Sequence, residues 1–272
     1  MAKHHAKSLI KSLGTITLPI DPYRIAEKGG IEIREDDCEG YSGMLLVVNS
    51  QALISIKMSI REYPKKRFTV AHELGHFYIP GHITRETNYF KCNDKDLNTF
   101  GRKDNRESEA NEFAAELLMP EDIFKEKIKH KNLSYNLLED LIATFKTSLT
   151  ATGIRFVDIY EDYALICSEN SLIKWFSKGK EFPFFVAANG RLSEDSIAIE
   201  FFKGRELSKS FEAVPANCWL DDYKLKEGME VQELSIALPY YNQVLSFIYA
   251  EAYEDDEDGY LEELDGYPKF KR

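Results

Sequence analysis

The five residues His72-Glu73-Leu74-Gly75-His76 form an H-E-x-x-H motif, which constrains this chain more than any other feature. Residues that are four apart on a helix lie one above the other on the same face. Two imidazoles at that spacing can bind one Zn²⁺ ion, and the glutamate between them can act on a water molecule as a general base. Around the motif, residues 65–78 contain no Pro and no Gly except Gly75, and Pro80-Gly81 supplies a stop signal. The sequence therefore predicts a helix that carries a metal site.

A catalytic zinc ion needs a third protein ligand, and His82 is the first candidate. It follows His76 by six residues, as the third histidine does in the longer motif H-E-x-x-H-x-x-G-x-x-H. Ile79 stands where that motif has its glycine, and a β-branched residue resists the sharp turn that the glycine allows. We therefore favour a solvated loop histidine at this position, and the ligand role of His82 stays open.

The second candidate is Glu107, which lies in a segment typical of an amphipathic helix, residues 105–120. Glu107 lies three residues before Ala110, the first residue of the apolar face of that helix. Its carboxylate is therefore expected at the N-terminal end of the buried face. A buried carboxylate is costly unless it is paired or binds a metal. Asn111, four residues later, can orient a ligand histidine. We prefer metal ligation to a helix-capping role for Glu107. The glutamates on the other faces are expected to be solvated: Glu109, Glu112 and Glu116.

Two motifs together, FTVAHELGH at residues 68–76 and ExxANxFAAxLLMP at residues 107–120, resemble the ImmA/IrrE family of metallo-endopeptidases. The similarity extends more loosely over residues 15–160. It implies a zincin-like metallopeptidase domain in which zinc is bound by His72, His76 and Glu107, with Glu73 as catalytic base. It also implies a cytoplasmic protease that cleaves a helix-turn-helix repressor and so derepresses genes of a mobile element or a stress response. Mn²⁺ is an alternative metal, because oxygen and imidazole ligands suit it as well.

The composition is compatible with one or two ordinary domains in 272 residues. No run of apolar residues approaches the length of a transmembrane helix, and the N-terminus lacks the apolar segment of a signal peptide. We therefore expect a cytoplasmic protein without a membrane partner. The four cysteines form no C-x-x-C pair and are expected to be reduced. Cys92 is a weak candidate ligand, because it lies in a polar stretch without a partner.

The net charge of −11 is unevenly distributed, because residues 251–265 contain nine Asp or Glu and no Lys or Arg. A tail of this kind is typically disordered and solvated. Its negative charge makes direct binding of the chain to nucleic acid unlikely.

The predicted fold class is α+β, with four segments along the chain. Residues 1–125 should form the metallopeptidase domain, with a small antiparallel sheet and the H-E-x-x-H helix. Within it, Gly43–Val48 is a strand that could align an extended substrate, and residues 83–104 are a polar loop. A helical segment with spacing similar to a helix-turn-helix unit follows at 126–160. A second α+β domain with an antiparallel sheet spans 161–252 and includes a strand at 196–202, and the acidic tail covers 253–272.

Two further functions remain open besides a peptidase that acts on a protein substrate. The chain could be a non-proteolytic DNA- or partner-binding regulator whose metal site is structural or sensory. Glu73 argues against that function, because a structural site needs no base. Alternatively, the C-terminal domain could be a sensor that controls a peptidase.

Overall fold

The computed structural model describes residues 1–37, 40–84, 88–92, 105–187 and 190–250. The described helices are α1 (Ala2–Ser12), α2 (Pro22–Lys28), α3 (Tyr63–Tyr78), α4 (Asn105–Leu118), α5 (Glu121–Ile128), α6 (Tyr135–Phe145), α7 (Leu149–Ile159) and α8 (Ala198–Phe202). The described strands are β1 (Ile31–Asp36), β2 (Gly43–Val48), β3 (Gln51–Lys57), β4 (Tyr89–Cys92), β5 (Tyr163–Glu169), β6 (Leu172–Lys178), β7 (Glu212–Pro215), β8 (Glu230–Leu238) and β9 (Gln243–Tyr249). No helix within these ranges is long and apolar enough to cross a membrane.

The first sheet has four strands in the order β1-β3-β2-β4. Strands β2 and β3 form the predicted hairpin, whose turn residues Asn49 and Ser50 both have positive φ angles. The expected antiparallel sheet is wrong in one respect, because β1 pairs with β3 in parallel. Strand β3 lies between β1 and β2 in the sheet. The parallel strands β1 and β3 are therefore connected through β2, which serves as the crossover that a parallel pair requires. The alternation of residues within a strand does not reveal this order.

Helix α3 lies between this sheet and α4, and their apolar faces form the first core together with α1 and α2. Asp21 caps α2 by accepting a hydrogen bond from the backbone N–H of Tyr23, and Pro22 occupies the first turn. Helix α3 begins with Pro64 in its first turn and ends at Tyr78, just before Ile79 turns to an extended conformation. The predicted helix around the H-E-x-x-H motif and its end before Pro80 are therefore confirmed.

The second sheet is antiparallel, with the strand order β6-β5-β9-β8-β7. One face packs against α5, α6 and α7 in a shared core, and α8 and the loops cover the other face. Helix α7 approaches closely at Gly153, where a Cβ atom would lie 2.8 Å from the ring of Phe247. The helical segment and the second sheet therefore share one apolar core.

Two buried arginines connect the helical segment to the first core. Arg67 of α3 donates hydrogen bonds to the carbonyl oxygens of Phe145 and Lys146, in the turn between α6 and α7. Arg155 of α7 pairs with the buried carboxylate of Glu116 on α4. The expectation that Glu116 is solvated is therefore wrong. A buried charge needs compensation by a charged partner or by several hydrogen bonds, and the partner of Glu116 comes from a distant helix that the sequence spacing does not reveal.

The predicted strand at 196–202 is also wrong, because Ala198–Phe202 forms the short helix α8. A short apolar run suits a buried helix as well as a strand. The decisive residue is Glu233 of β8, which accepts hydrogen bonds from the backbone N–H groups of Ile197 and Ala198 and from the indole of Trp219. The polar loop predicted at 83–104 is interrupted by β4, and its remaining parts at 85–87 and 93–104 lie outside the described residues, as does the acidic tail at 253–272.

Replacement of Glu233 by Ala should lower the free energy of unfolding by about 2–5 kcal/mol, because three N–H groups and the Ser235 hydroxyl lose their acceptor. Urea unfolding measures this loss. Glu230→Ala is the matched control, since Glu230 lies on the same strand and is exposed. Equal stability of the two variants would show that Glu233 does not hold α8 in place.

Candidate metal centre

The helical spacing of the motif brings the rings of His72 and His76 together. Both residues are fully buried on α3, and their Nε2 atoms lie 3.1 Å apart. The rings meet edge to face, with centroids 4.8 Å apart. Two ring nitrogens therefore point to one place in the interior.

Helix α4 brings Glu107 to the same place. Gly75 permits the close approach of α3 and α4, because a Cβ atom at Gly75 would lie 3.0 Å from the Cα atom of Ala110. Glu107 is one helical turn before Ala110, and its Oε2 lies 3.1 Å from Nε2 of His72, while Oε1 lies 3.4 Å from Nε2 of His76. The structure thus unites the three residues that the sequence suggested as ligands.

Strand β4 supplies a fourth donor, the thiol of Cys92. Its Sγ lies 3.2 Å from Nε2 of His72 and 3.6 Å from Nε2 of His76. Donor atoms of all four residues lie within 4.8 Å of one another. Cys92 was only a weak candidate ligand in the sequence, because residues 83–104 were predicted to be a polar loop. The alternation of Tyr89-Phe90-Lys91-Cys92, with Cys92 buried at its end, is the signal that could have indicated a strand.

The outer nitrogens of both histidines are held by hydrogen bonds. Nδ1 of His72 lies 2.8 Å from Oδ1 of Asn111, the orienting contact that helix spacing predicted. Nδ1 of His76 lies 3.0 Å from Nδ1 of His82, whose Nε2 lies 3.0 Å from Oε2 of Glu109. For both Nε2 atoms of the motif to accept a cation, the protons must lie on Nδ1 of His72 and His76 and on Nε2 of His82.

The structure places His82 and Glu109 differently from what the sequence suggested, which was a metal ligand or a solvated loop residue for His82 and a solvated charge for Glu109. His82 is only 2% exposed, so it is not a solvated loop residue, and it contacts the far side of His76 rather than the donor cluster. Glu109 was expected to be solvated, but it forms the outer end of this chain of hydrogen bonds. The turn at Pro80-Gly81 folds His82 back against the helix, which spacing along the sequence did not reveal.

The electrostatics of the cluster favour a cation. Burial raises the pKa of the Glu107 carboxyl, but hydrogen bonds with His72 and His76 outweigh burial and hold that pKa well below its usual range. Burial lowers the pKa of His76 to about 4, so its ring is neutral at pH 7. Burial and the neighbouring carboxylates raise the pKa of the Cys92 thiol. An ionised carboxylate beside a neutral imidazole and a thiol is a donor set that suits a divalent metal ion.

Glu73 lies beside the cluster with its side chain fully buried, and neither carboxylate oxygen has a hydrogen-bond partner. Gly43 of β2 leaves room for it, because a Cβ atom at Gly43 would lie 2.6 Å from Oε1 of Glu73. Burial raises the pKa of Glu73 to about 7. An unpartnered buried carboxyl group is unfavourable for stability, and such groups are typical of functional sites. The four converging donors form a group that could hold a metal ion, and the unpartnered carboxylate lies next to it.

An H-E-x-x-H helix with a carboxylate from a second helix is typical of metal-dependent peptidases. Residues 26–156 match the Peptidase_M78 family, described as the IrrE N-terminal-like domain. The resemblance to ImmA/IrrE proteins is therefore confirmed over these residues, and the match supports a peptidase. No curated protein matches the chain significantly.

The raised pKa of Glu73 predicts a pH-dependent stability in protein kept free of metal by a chelator. The folded-state pKa of about 7 exceeds the ordinary value of 4.5, so stability falls as pH rises through this window. Replacing Glu73 by Gln removes that loss. The stability of Glu73→Gln relative to wild type should therefore increase by roughly 2 kcal/mol between pH 5 and pH 8.

Urea unfolding at both pH values measures this change, and Glu27→Gln on the surface of α2 is the control. A constant difference between Glu73→Gln and wild type at the two pH values would contradict the buried, unpartnered state of the Glu73 carboxylate.

Proposed function

We propose that this chain is a zinc-dependent endopeptidase in which His72, His76 and Glu107 hold the metal and Glu73 is the catalytic base. The observation that carries the proposal is the convergence of the three donors beside a buried carboxylate without a hydrogen-bond partner. The family match supports it independently. Mn²⁺ is an alternative to zinc at these ligands.

A bound zinc ion would supply Lewis acidity toward an attacking water molecule and toward the carbonyl of the scissile peptide bond. Glu73 would accept the proton of that water and then deliver it to the leaving amine nitrogen. Burial raises the pKa of Glu73 in the metal-free site, and a carboxylate whose proton affinity is raised is suited to take up a proton from water and release it again. Asn111 and His82 hold the two histidine rings in the orientation that presents Nε2.

The proposed substrate is a helix-turn-helix transcriptional repressor, whose cleavage in the cytoplasm would derepress mobile-element or stress genes. Support for this substrate comes from the similarity to ImmA/IrrE proteins. The three described cysteines are free thiols, which agrees with a reducing compartment. In this proposal the helical segment has no role in DNA recognition. Helix α7 packs with Arg155 against Glu116 of α4 and with Gly153 against Phe247 of the second sheet.

The second candidate function is a non-proteolytic regulator that binds DNA or a protein partner and has a structural or sensory metal site. One observation favours it: Cys92 completes a set of four protein donors, and closed sets of four are typical of structural zinc. The buried Glu73 favours the peptidase, because a structural site has no use for an unpartnered carboxylate. A cleavage assay separates the two functions.

Replacement of Glu107 by Ala should reduce the zinc content to a small fraction of the wild-type value, because the anionic donor is lost. Elemental analysis of purified protein measures this. Glu112→Ala, on the same helix but outside the donor cluster, should keep its zinc. His82→Ala should keep most of its zinc as well, since His82 contacts the far side of His76. Retention in Glu107→Ala combined with loss in His82→Ala would contradict the ligand assignment.

Replacement of Glu73 by Gln should leave zinc bound but slow peptide cleavage by about 10²–10⁴-fold, because the base is removed. Mass spectrometry of a casein digest and of a purified helix-turn-helix repressor measures cleavage. The comparison is made in the wild-type and Cys92→Ala backgrounds. If the Cys92 thiol binds the metal as a fourth ligand, it would keep water from the metal and hide the activity in the wild-type background. Zinc-loaded protein that cleaves nothing in either background would favour the regulator, and cleavage of casein alone would reject the repressor as substrate.

A further inference from the structure

Strand β4 occupies the outer edge of the first sheet, directly beside β2. The two strands are antiparallel, and Gly43 pairs with Cys92 while Leu46 pairs with Tyr89. Because β3 lies on its other side, β2 has a partner on both edges. The prediction that β2 aligns an extended substrate therefore conflicts with the structure as long as β4 is in place.

The edge that β4 covers is the one next to the proposed base. Gly43 of β2 leaves no room for a side chain between itself and Glu73, and its partner in β4 is Cys92. An extended peptide on this edge of β2 therefore runs past Glu73 and the donor cluster. Strand β4 is such a peptide, supplied by the chain itself.

One face of β4 points into the metal centre. Residues two apart on a strand share a face, and Phe90 and Cys92 both contact the ligand histidines. The ring of Phe90 stacks on His76 at a centroid distance of 4.0 Å, and the thiol of Cys92 is 3.2 Å from Nε2 of His72. Tyr89, on the opposite face, is 54% exposed. Strand β4 thus buries the ring of Phe90 and the thiol of Cys92 at the site, and its other face is exposed to solvent.

We propose that Cys92 is a fourth ligand of the metal centre and that β4 is an internal inhibitory strand. Cys92 fills the coordination position that a catalytic zinc ion keeps open, and the backbone of β4 fills the edge of β2 that a substrate strand would use. The protein described here is then the latent form of the peptidase. This inference rests on the proposed function, since an inhibitory strand has meaning only for an enzyme.

Within the part of the chain that the structure describes, strand β4 is attached to the sheet along one edge only. The strand has four residues, it lies at a sheet edge, and its sheet pairing is with β2 alone among the described strands. A substrate in extended conformation would restore the same backbone hydrogen bonds to β2 after β4 leaves. The exchange replaces one edge strand by another, so a substrate with suitable side chains can compete with the internal strand.

The first test is the absorption spectrum of the protein loaded with Co²⁺ in place of zinc. A thiolate-to-cobalt charge-transfer band in the near ultraviolet is expected in wild type and in Cys167→Ala, whose thiol lies on β5 away from the site. The band should be absent in Cys92→Ala, which should still bind one metal ion per chain through the other three donors. A wild-type protein that binds Co²⁺ without this band would overturn Cys92 as a ligand, whatever the outcome of the cleavage assays.

The second test is the rate of peptide cleavage by zinc-loaded Cys92→Ala. If the open form is about 10% of the wild-type population or less, removing the fourth ligand raises the rate by about tenfold or more. A rate equal to that of wild type would overturn the inhibitory role. No cleavage by either protein would instead count against the proposed peptidase, while the cobalt spectrum would still decide whether Cys92 is a ligand.

A reversible cross-link tests the strand itself in a protein that keeps all its ligands. Leu46 and Tyr89 form a directly opposed pair on the solvent side of β2 and β4, so cysteines at both positions can form a disulfide. The oxidised Leu46→Cys, Tyr89→Cys protein should retain zinc but lose cleavage, and a reducing agent should restore it. Full activity in the oxidised form would show that β4 need not leave β2.

Discussion

The close approach of α3 and α4 at Gly75 is the contact on which the metal centre depends. A Cβ atom at this position would meet the backbone of Ala110 at 3.0–3.2 Å, so a larger residue would push the helices apart. Glu107 lies one turn before that contact, and its oxygens reach both histidines only because the helix axes are so near. A displacement of even 1 Å at this contact would separate the carboxylate from the imidazoles.

Buried charges hold the surrounding helices in the positions that this contact requires. Arg155 binds Glu116 near the end of α4, on the same helix as Glu107, and Arg67 binds the turn between α6 and α7 from α3. Breaking the Arg155–Glu116 pair would leave an uncompensated charge in the interior, which costs several kcal/mol. The helical segment and the second sheet are thereby tied to the two helices that carry the proposed ligands. This arrangement offers a physical route by which events in the C-terminal part could change the metal centre.

Local periodicity explains what the sequence predicted correctly. The four-residue spacing of His72 and His76, the apolar face that leads back to Glu107 and the position of Asn111 one turn after Glu107 are all properties of single helices. The residues that sequence analysis misjudged depend on partners far along the chain. Cys92 reaches the site through sheet pairing, Glu116 pairs with Arg155, and Ala198–Phe202 forms a helix whose first turn is capped by Glu233. Spacing within one segment contains no information about these contacts.

The central claim is that His72, His76 and Glu107 hold one metal ion next to Glu73. The most direct measurement is anomalous X-ray diffraction from crystals of zinc-loaded protein at the zinc absorption edge. The expected result is one peak per chain at about 2.0–2.2 Å from Nε2 of both histidines and from a Glu107 oxygen. Zinc-loaded crystals with no peak at this place, or with the peak on other side chains, would contradict the claim.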